Sequence, residues 1–316
     1  MAPRAVAIAG ANGLVGRHLV AALLARGDRV IALVRSPEAY PFPSTVDVRA
    51  WQAREPVAPL QGADAVVNLV GDPIFAKRWT DARKQELTDT RIHATRSLAE
   101  GLRKMGGSGR TFISSTAVDY AGDTGDLEVD ETAPAGTGFA AELARVWEDE
   151  ARRATDTGAR LVLLRQSLVL GREGGIIGGL MPVYRLGLGG TLGPGRQWLS
   201  WIHVNDAARL IVHALDETRI AGPLTSASPN PVTSREFARV FARALHRPAL
   251  APMPRALMRL AWGERADLFL DSHRAVPRVA LATGFRFRFP RLEDAMSDLL
   301  GSRAVPIEQL MNPASW

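Results

Sequence analysis

Cysteine is absent from this 316-residue chain, lysine occurs only at 77, 84 and 104, and tyrosine occurs three times. Without cysteine there can be no disulfide, no thiolate nucleophile and no sulfur-ligated metal, a composition that suits a reducing cytoplasm. No stretch approaches the roughly 18 consecutive apolar residues of a membrane-spanning helix, and "AVAIAG" follows no charged leader, so a soluble, untargeted cytoplasmic protein is expected. The net charge of +6 rests almost wholly on arginine spread along the chain, with no basic cluster longer than a few residues. Neither nucleic acid nor a membrane is therefore expected as a partner. The six histidines, at 18, 93, 203, 213, 246 and 273, show no metal-ligand spacing, and there is neither a phosphate-loop lysine nor a Gly-x-Ser-x-Gly elbow. Metal-assisted hydrolysis and acyl transfer are set aside, and no metal site is expected.

Against these absences stands a regular alternation. "RAVAIAG" (4–10), "RVIALV" (29–34), "VDVRAW" (46–51), "DAVVNLV" (64–70), "RTFISS" (110–115) and "RLVLLR" (160–165) read as strands. Between them, 14–26, 78–105 and 137–156 carry apolar residues at helical spacing. Continuous apolar strands separated by helices imply an α/β, Rossmann-type, doubly wound parallel sheet, because each parallel connection must cross over a face and both faces are then covered. From Gly171 to Gly195 there are ten glycines, which read as a long irregular segment bordering a site. "WIHVNDAARLIVHALDE" (201–217) and "GPLTSAS" (222–228) return to strand and helix character, and the Thr-x-x-Glu of "TSRE" starts a helix at 233 that runs to about 246. The proline-punctuated remainder reads as a small helical lobe. The expected division is a nucleotide-binding domain over 1–170, rejoined by 201–228, and a substrate-binding lobe from 171–200 and 229–316.

Gly10, Gly13 and Gly16 fall between the first strand and the first helix, the context in which a glycine triplet cradles a pyrophosphate at a helix N-terminus. At the end of the second strand a carboxylate would accept ribose hydroxyls and repel a 2'-phosphate. Here the residues are Arg35, with a guanidinium fork, and Ser36, with a hydroxyl, so NADP(H) is the expected cofactor.

The glycine triplet, "FISSTAV" and "WIHVNDAA" together resemble the extended short-chain dehydrogenase/reductases. The stretches 67–98, 164–208 and 278–300 are similar to their atypical, epimerase-like branch, whose members carry a small C-terminal domain, and the likeness spans nearly the whole chain. The resemblance implies a pyrophosphate loop of Gly10, Gly13 and Gly16 with Asn12 and Leu14 exposed along it, and Arg35 with Ser36 at the adenosine phosphate. It implies Asn68, Val70 and Gly71 on the adenine and ribose side, Arg91 and Thr95 reaching toward the cofactor from the long helix, and Thr116 where the wider family keeps its catalytic serine. That family also uses a tyrosine and a lysine four residues later, but the matching helix has Phe139 and Leu143, and the last lysine, Lys104, lies upstream.

Tyr120 is the phenol nearest in sequence, with Arg165 available to lower its pKa; Thr116 can orient a carbonyl, and Glu142, His203 and Asp206 are further proton-handling candidates. Asp119 and Ala121 flank Tyr120 where the branch more often has glycine and tyrosine, which implies a more acidic and open pocket. Trp198, Trp201 and Tyr184 are expected as its aromatic walls. Two functions stay open: an NADP(H)-dependent oxidoreductase or epimerase-like enzyme acting on a small carbonyl or alcohol, and a non-catalytic NADP(H)-binding redox sensor. A small-molecule substrate is the expected partner, and a homodimer is left open.

Overall fold

The computed structural model describes residues 3–39, 42–249 and 252–301; the part of the expected lobe beyond 301 lies outside the described residues. Strand β1 (Ala5–Ala9) and helix α1 (Leu14–Ala25) open the chain, followed by β2 (Arg29–Val34), β3 (Asp47–Ala50), β4 (Ala65–Asn68), α2 (Asp81–Met105), β5 (Thr111–Ala117), β6 (Glu128–Val129), α3 (Phe139–Arg152) and β7 (Arg160–Gln166). Then come β8 (Leu168–Gly171), α4 (Gly175–Arg185), β9 (Trp198–Leu199), β10 (Trp201–His203), α5 (Val204–Asp216), β11 (Gly222–Ser226), β12 (Val232–Thr233) and α6 (Ser234–Ala244). The chain continues through α7 (Arg255–Trp262), α8 (Asp267–Leu270), β13 (Arg274–Ala275), α9 (Arg278–Ala282) and α10 (Leu292–Leu300).

Seven strands pair in parallel in the order β11-β7-β5-β4-β1-β2-β3. The order reverses between β1 and β4, the kind of switch point at which such sheets hold ligands beyond their carboxyl ends. Side chains alternate across the sheet: Val6 and Ile8 share a core with Leu19 and Leu23 of α1 and Leu210 and Ile211 of α5. Ala5, Ala7 and Ala9 point the other way, to Leu98 and Leu102 of α2 and Ala151 of α3. Burial on both faces is why the strands read as unbroken apolar runs. Leu224 of β11 lies in the same core as Val6, and β11 pairs with β7 at the edge of the main sheet, whereas β10 pairs with β8 in a separate two-stranded sheet.

The C-terminal lobe has its own core, in which Ile177 and Tyr184 of α4 meet Trp201, Phe237 and Phe241 of α6, and Met296 and Leu299 of α10. This corrects the expectation of an irregular 171–195 segment, since α4 forms there despite Gly178, Gly179 and Pro182. Its two anchoring side chains are almost wholly buried, and that packing outweighs the poor intrinsic helix propensity of the stretch. The start of α6 is as expected, with the Thr233 hydroxyl accepting from the backbone N–H of Glu236. The lobe is tied down at Asp206 of α5, whose solvent-free carboxylate accepts the backbone N–H groups of Arg288 and Phe289 at 2.9 and 2.8 Å and the Arg209 guanidinium at 2.8 Å. Asp206 is thereby a brace. His203 is committed as well: its Nδ1 accepts from the Asn205 N–H, its Nε2 stands 3.2 Å from Asp298, and its ring stacks on Phe289. No helix among the described residues is long and apolar enough to cross a membrane.

Candidate active site

At the carboxyl end of β1 each glycine of the triplet meets a separate steric demand. Gly10 has φ +86°, and a Cβ there would stand 2.9 Å from the Leu69 carbonyl oxygen. Gly16 lets α1 approach the turn, for a Cβ would fall 2.1 Å from the Gly10 carbonyl oxygen, and the Gly13 N–H closes the turn on that same oxygen at 3.0 Å. Helix α2 is capped by the Thr80 hydroxyl and has Asp81 in its first turn; α1 has neither a side-chain cap nor an acidic residue there. Its first N–H groups are left for an external anion. Asn12 is half-buried beside them, and Leu14 packs against Gly171 and Gly175. Arg35, exposed at the end of β2, has no hydrogen-bond or ion-pair partner among the described residues, and Ser36 stands next to it. A free guanidinium one strand away from an anion-ready turn fits a dinucleotide with an additional phosphate.

Beyond β4, Val70 is half-buried and Gly71 exposed, whereas Asn68 and Thr95 lie fully inside. The Asn68 amide donates to Thr95 at 3.0 Å and to Ser114 at 3.3 Å, and its carbonyl accepts the Val70 N–H. Thr95 also accepts from the Trp147 indole. Arg91 donates to the carbonyls of Leu87 and Asp72 and lies over Trp147, and burial brings its pKa down to about 10, still a cation at neutral pH. Arg91 and Thr95 thus support the loop from beneath, with their polar groups turned into the protein.

Thr116 is hydrogen-bonded within the protein too. Its hydroxyl donates at 3.2 Å to Glu148 of α3, a carboxylate with no solvent exposure, which also takes both forks of Arg165 at 2.8 and 3.2 Å and a bond from Arg152 at 2.9 Å. Arg165 completes its contacts on the Glu131 carbonyl and lies 3.8 Å over the face of the Tyr120 ring. Its charge is spent on Glu148 and on that ring face. Glu142 lies at the surface, paired with Arg145, whose hydrogen bonds hold its carboxyl below the usual range.

The cleft between sheet and lobe encloses about 310 Å³. One wall comes from Trp79, Lys84 and Phe139, another from Asp119 and Gly122 after β5, and the roof from Arg259, Glu264, Asp267, Asp271 and His273. Trp79 and Phe139 meet edge to face, and Lys84 lies 5.3 Å over the Phe139 ring while pairing with Glu264 of the lobe. A lysine therefore does stand beside the residue at the tyrosine position; it arrives from α2, where chain order hid it. The expected aromatic walls are replaced. Trp201 and Tyr184 lie in the lobe core, with burial pushing the Tyr184 phenol up to about 12, and the Trp198 indole donates to Asp126. Half-buried Asp271 is raised to about 6, first by burial and then by Asp267, Asp123 and Asp119, with His273 opposing. His273 is only 7% exposed, and neither ring nitrogen has a hydrogen-bond partner. The flanking Asp119 was legible as an acidic departure; His273 carried no local signal. Among the described residues no group of three or more His, Cys, Asp or Glu side chains could hold a metal ion.

Residues 6–223 match the family described as NAD dependent epimerase/dehydratase, and residues 253–299 match a domain of unknown function, DUF1731. The epimerase family protein Mb2239 of Mycobacterium bovis is 39% identical over 301 residues, covering 94% of this chain and 97% of that one. Epimerase family protein YfhF of Bacillus subtilis is 35% identical over 301 residues, with coverage of 94% and 98%. The crystal structure of human epimerase family protein SDR39U1 (isoform 2) with NADPH superimposes with a TM-score of 0.85 at 33% identity, covering 94% of this chain and 99% of that one.

Proposed function

Because the chain belongs to the NAD dependent epimerase/dehydratase family, we propose that it is an NADP(H)-dependent oxidoreductase or epimerase-like enzyme acting on a small carbonyl or alcohol. The observation that carries this is an uncapped, anion-ready turn at the start of α1, with Arg35 unpaired among the described residues beside it; the polar cleft around Phe139 supplies a place for a substrate. The NADPH in the human relative's crystal structure supports the choice of cofactor. When bound, that cofactor supplies hydride chemistry. Gly10, Asn12, Gly13, Leu14 and Gly16 would hold the diphosphate, Arg35 and Ser36 the adenosine phosphate, and Val70 and Gly71 the open ribose side, with Asn68, Arg91 and Thr95 bracing that edge from below. In this reading 171–200 and 229–301 form the substrate lobe over a nucleotide domain of 3–170 with 201–228. Lys84 and Phe139 orient the substrate, and the lobe excludes water. A second reading, a cofactor-binding sensor without turnover, is favoured by phenylalanine at the tyrosine position.

Titration with NADPH and NADH, followed by nicotinamide fluorescence, tests the first premise. Arg35→Ala is expected to cost NADPH about 10- to 100-fold in affinity, the worth of about 1.5–3 kcal/mol of charge-assisted hydrogen bonding, and to leave NADH nearly unchanged. Equal losses for both cofactors would remove Arg35 from phosphate recognition. Stopped-flow absorbance of bound NADPH against a panel of carbonyl compounds separates the two readings, since steady oxidation eliminates the pure sensor.

A further inference from the structure

We propose that Asp119 and His273 form a proton-transferring pair at the substrate end of the cleft, Asp119 being the group that touches the substrate oxygen and His273 the buried positioning residue that refills its proton. This pair stands on the enzymic function proposed above. His273 Nε2 lies 3.7 Å from Asp119 Oδ1, and both residues line the cleft beside Phe139. The imidazole is held there by its main chain: the His273 N–H donates to the Trp198 carbonyl at 2.9 Å, and its carbonyl accepts the Ser200 hydroxyl at 2.7 Å. An imidazole more than nine-tenths buried with both nitrogens unpartnered is costly, and a cavity-lining group of that kind calls for a water, an ion or a ligand beside it.

The remaining charges around the pair are accounted for. On α7 and α8, Arg259 meets Asp267 at 2.5 Å; Lys84 of α2 meets Glu264; and Asp123, in the turn after β5, accepts the backbone N–H groups of Gly125 and Ser272. Asp271 faces the same space and also feels His273, but burial and then its acidic neighbours resist its charge. Asp119 is the carboxylate that His273 Nε2 approaches to 3.7 Å. In the direction that forms an alcohol, the carbonyl carbon would take its hydride from the reduced nicotinamide. The O–H bond of the Asp119 carboxylic acid breaks as an O–H bond forms on the substrate oxygen, leaving Asp119 as the carboxylate. The His273 Nε2–H then passes to the Asp119 carboxylate, and a solvent proton recharges the imidazole. Alcohol oxidation runs the same transfers in reverse.

The test compares the full-length protein with Asp119→Asn, His273→Gln and His273→Ala. NADPH affinity is measured for each, together with pH profiles of NADPH oxidation and histidine side-chain NMR. NADPH affinity unchanged in all three shows that the variants are folded. Asp119→Asn is expected to slow turnover about 100-fold or more, the usual worth of a general acid. His273→Gln is expected to remove one limb of the pH profile, and added imidazole to restore turnover in His273→Ala. The ring signal missing from His273→Gln should move in Asp119→Asn, because the carboxylate beside the imidazole is gone. Turnover within roughly threefold of the parent in both Asp119→Asn and His273→Gln overturns the pair while sparing the enzyme, as does loss in Asp271→Asn alone. An unmoved His273 ring signal in Asp119→Asn also overturns it. Saturable NADPH binding with no oxidation by any carbonyl overturns the enzymic function and the pair together.

Discussion

Two polar clusters flank the carboxyl end of β5. In one, Thr116, Arg152 and Arg165 converge on Glu148, so that a carboxylate without solvent accepts bonds from three side chains and Arg165 gives a further donor to a backbone carbonyl. In the other, Asp119 and His273 approach to 3.7 Å across a cavity wall, and the ring nitrogens make no hydrogen bond. A filled network in a low-dielectric interior fixes the position of its elements, here α3 against β5 and β7. An unfilled one at a cavity wall retains bonding capacity for what enters. The hydroxyl at the family's serine position belongs to the first cluster, and the proton-transferring pair proposed above belongs to the second.

The largest expected effect breaks the filled cluster. Glu148→Gln leaves the Arg165 charge buried without its counterion, and chemical denaturation should show a loss of about 3–5 kcal/mol. Replacing the pair together, Glu148→Leu with Arg165→Met, should recover much of that, since two apolar side chains need no counterion. A cost in the double variant as large as in Glu148→Gln would mean that the charges do more than satisfy each other. Next, Thr116→Val removes one donor to a carboxylate that keeps two others, for an expected loss of about 1.5 kcal/mol with NADPH affinity unchanged. Abolished NADPH oxidation with intact folding would return Thr116 to the chemistry.

The smallest effect sharpens the open cluster. Asp271 has a folded pKa of about 6, above the roughly 3.9 of an unfolded aspartate, so the folded chain holds that proton more tightly. Stability should therefore fall as pH rises from about 4 through 6. Asp271→Asn removes the penalty, and thermal melts should show a gain of about 1 kcal/mol at pH 7.5 after allowing for solvent screening of a half-exposed group, vanishing near pH 4. A gain of equal size at both pH values would show that the carboxylate charge is not its source.

The sheet and the nucleotide turn were legible because their signals are local: apolar runs, helical spacing, three glycines at a strand-to-helix junction. The cleft was not, because its groups meet only in space. Asp119 and His273 are 154 positions apart in the chain. Lys84 was passed over because it precedes the region where the family keeps its lysine, yet α2 carries it over Phe139. Trp201 and Tyr184 read as pocket aromatics because composition cannot tell a pocket wall from a lobe interior. Helix α4 was concealed by its own glycines, whose low propensity was overruled by Ile177 and Tyr184 packing into a core assembled from distant segments.

Leu14 has a wider bearing. A Cβ at position 171 would fall 2.7 Å from its Cδ1, and one at 175 would come within 3.6 Å of its Cδ2. The strand that ends at Gly171 thus leans directly on the first residue of α1, itself one of the residues proposed for the diphosphate. A methyl group added at 171 would press first on the movable tip of Leu14, so a change on the lobe side would be felt at the nucleotide turn.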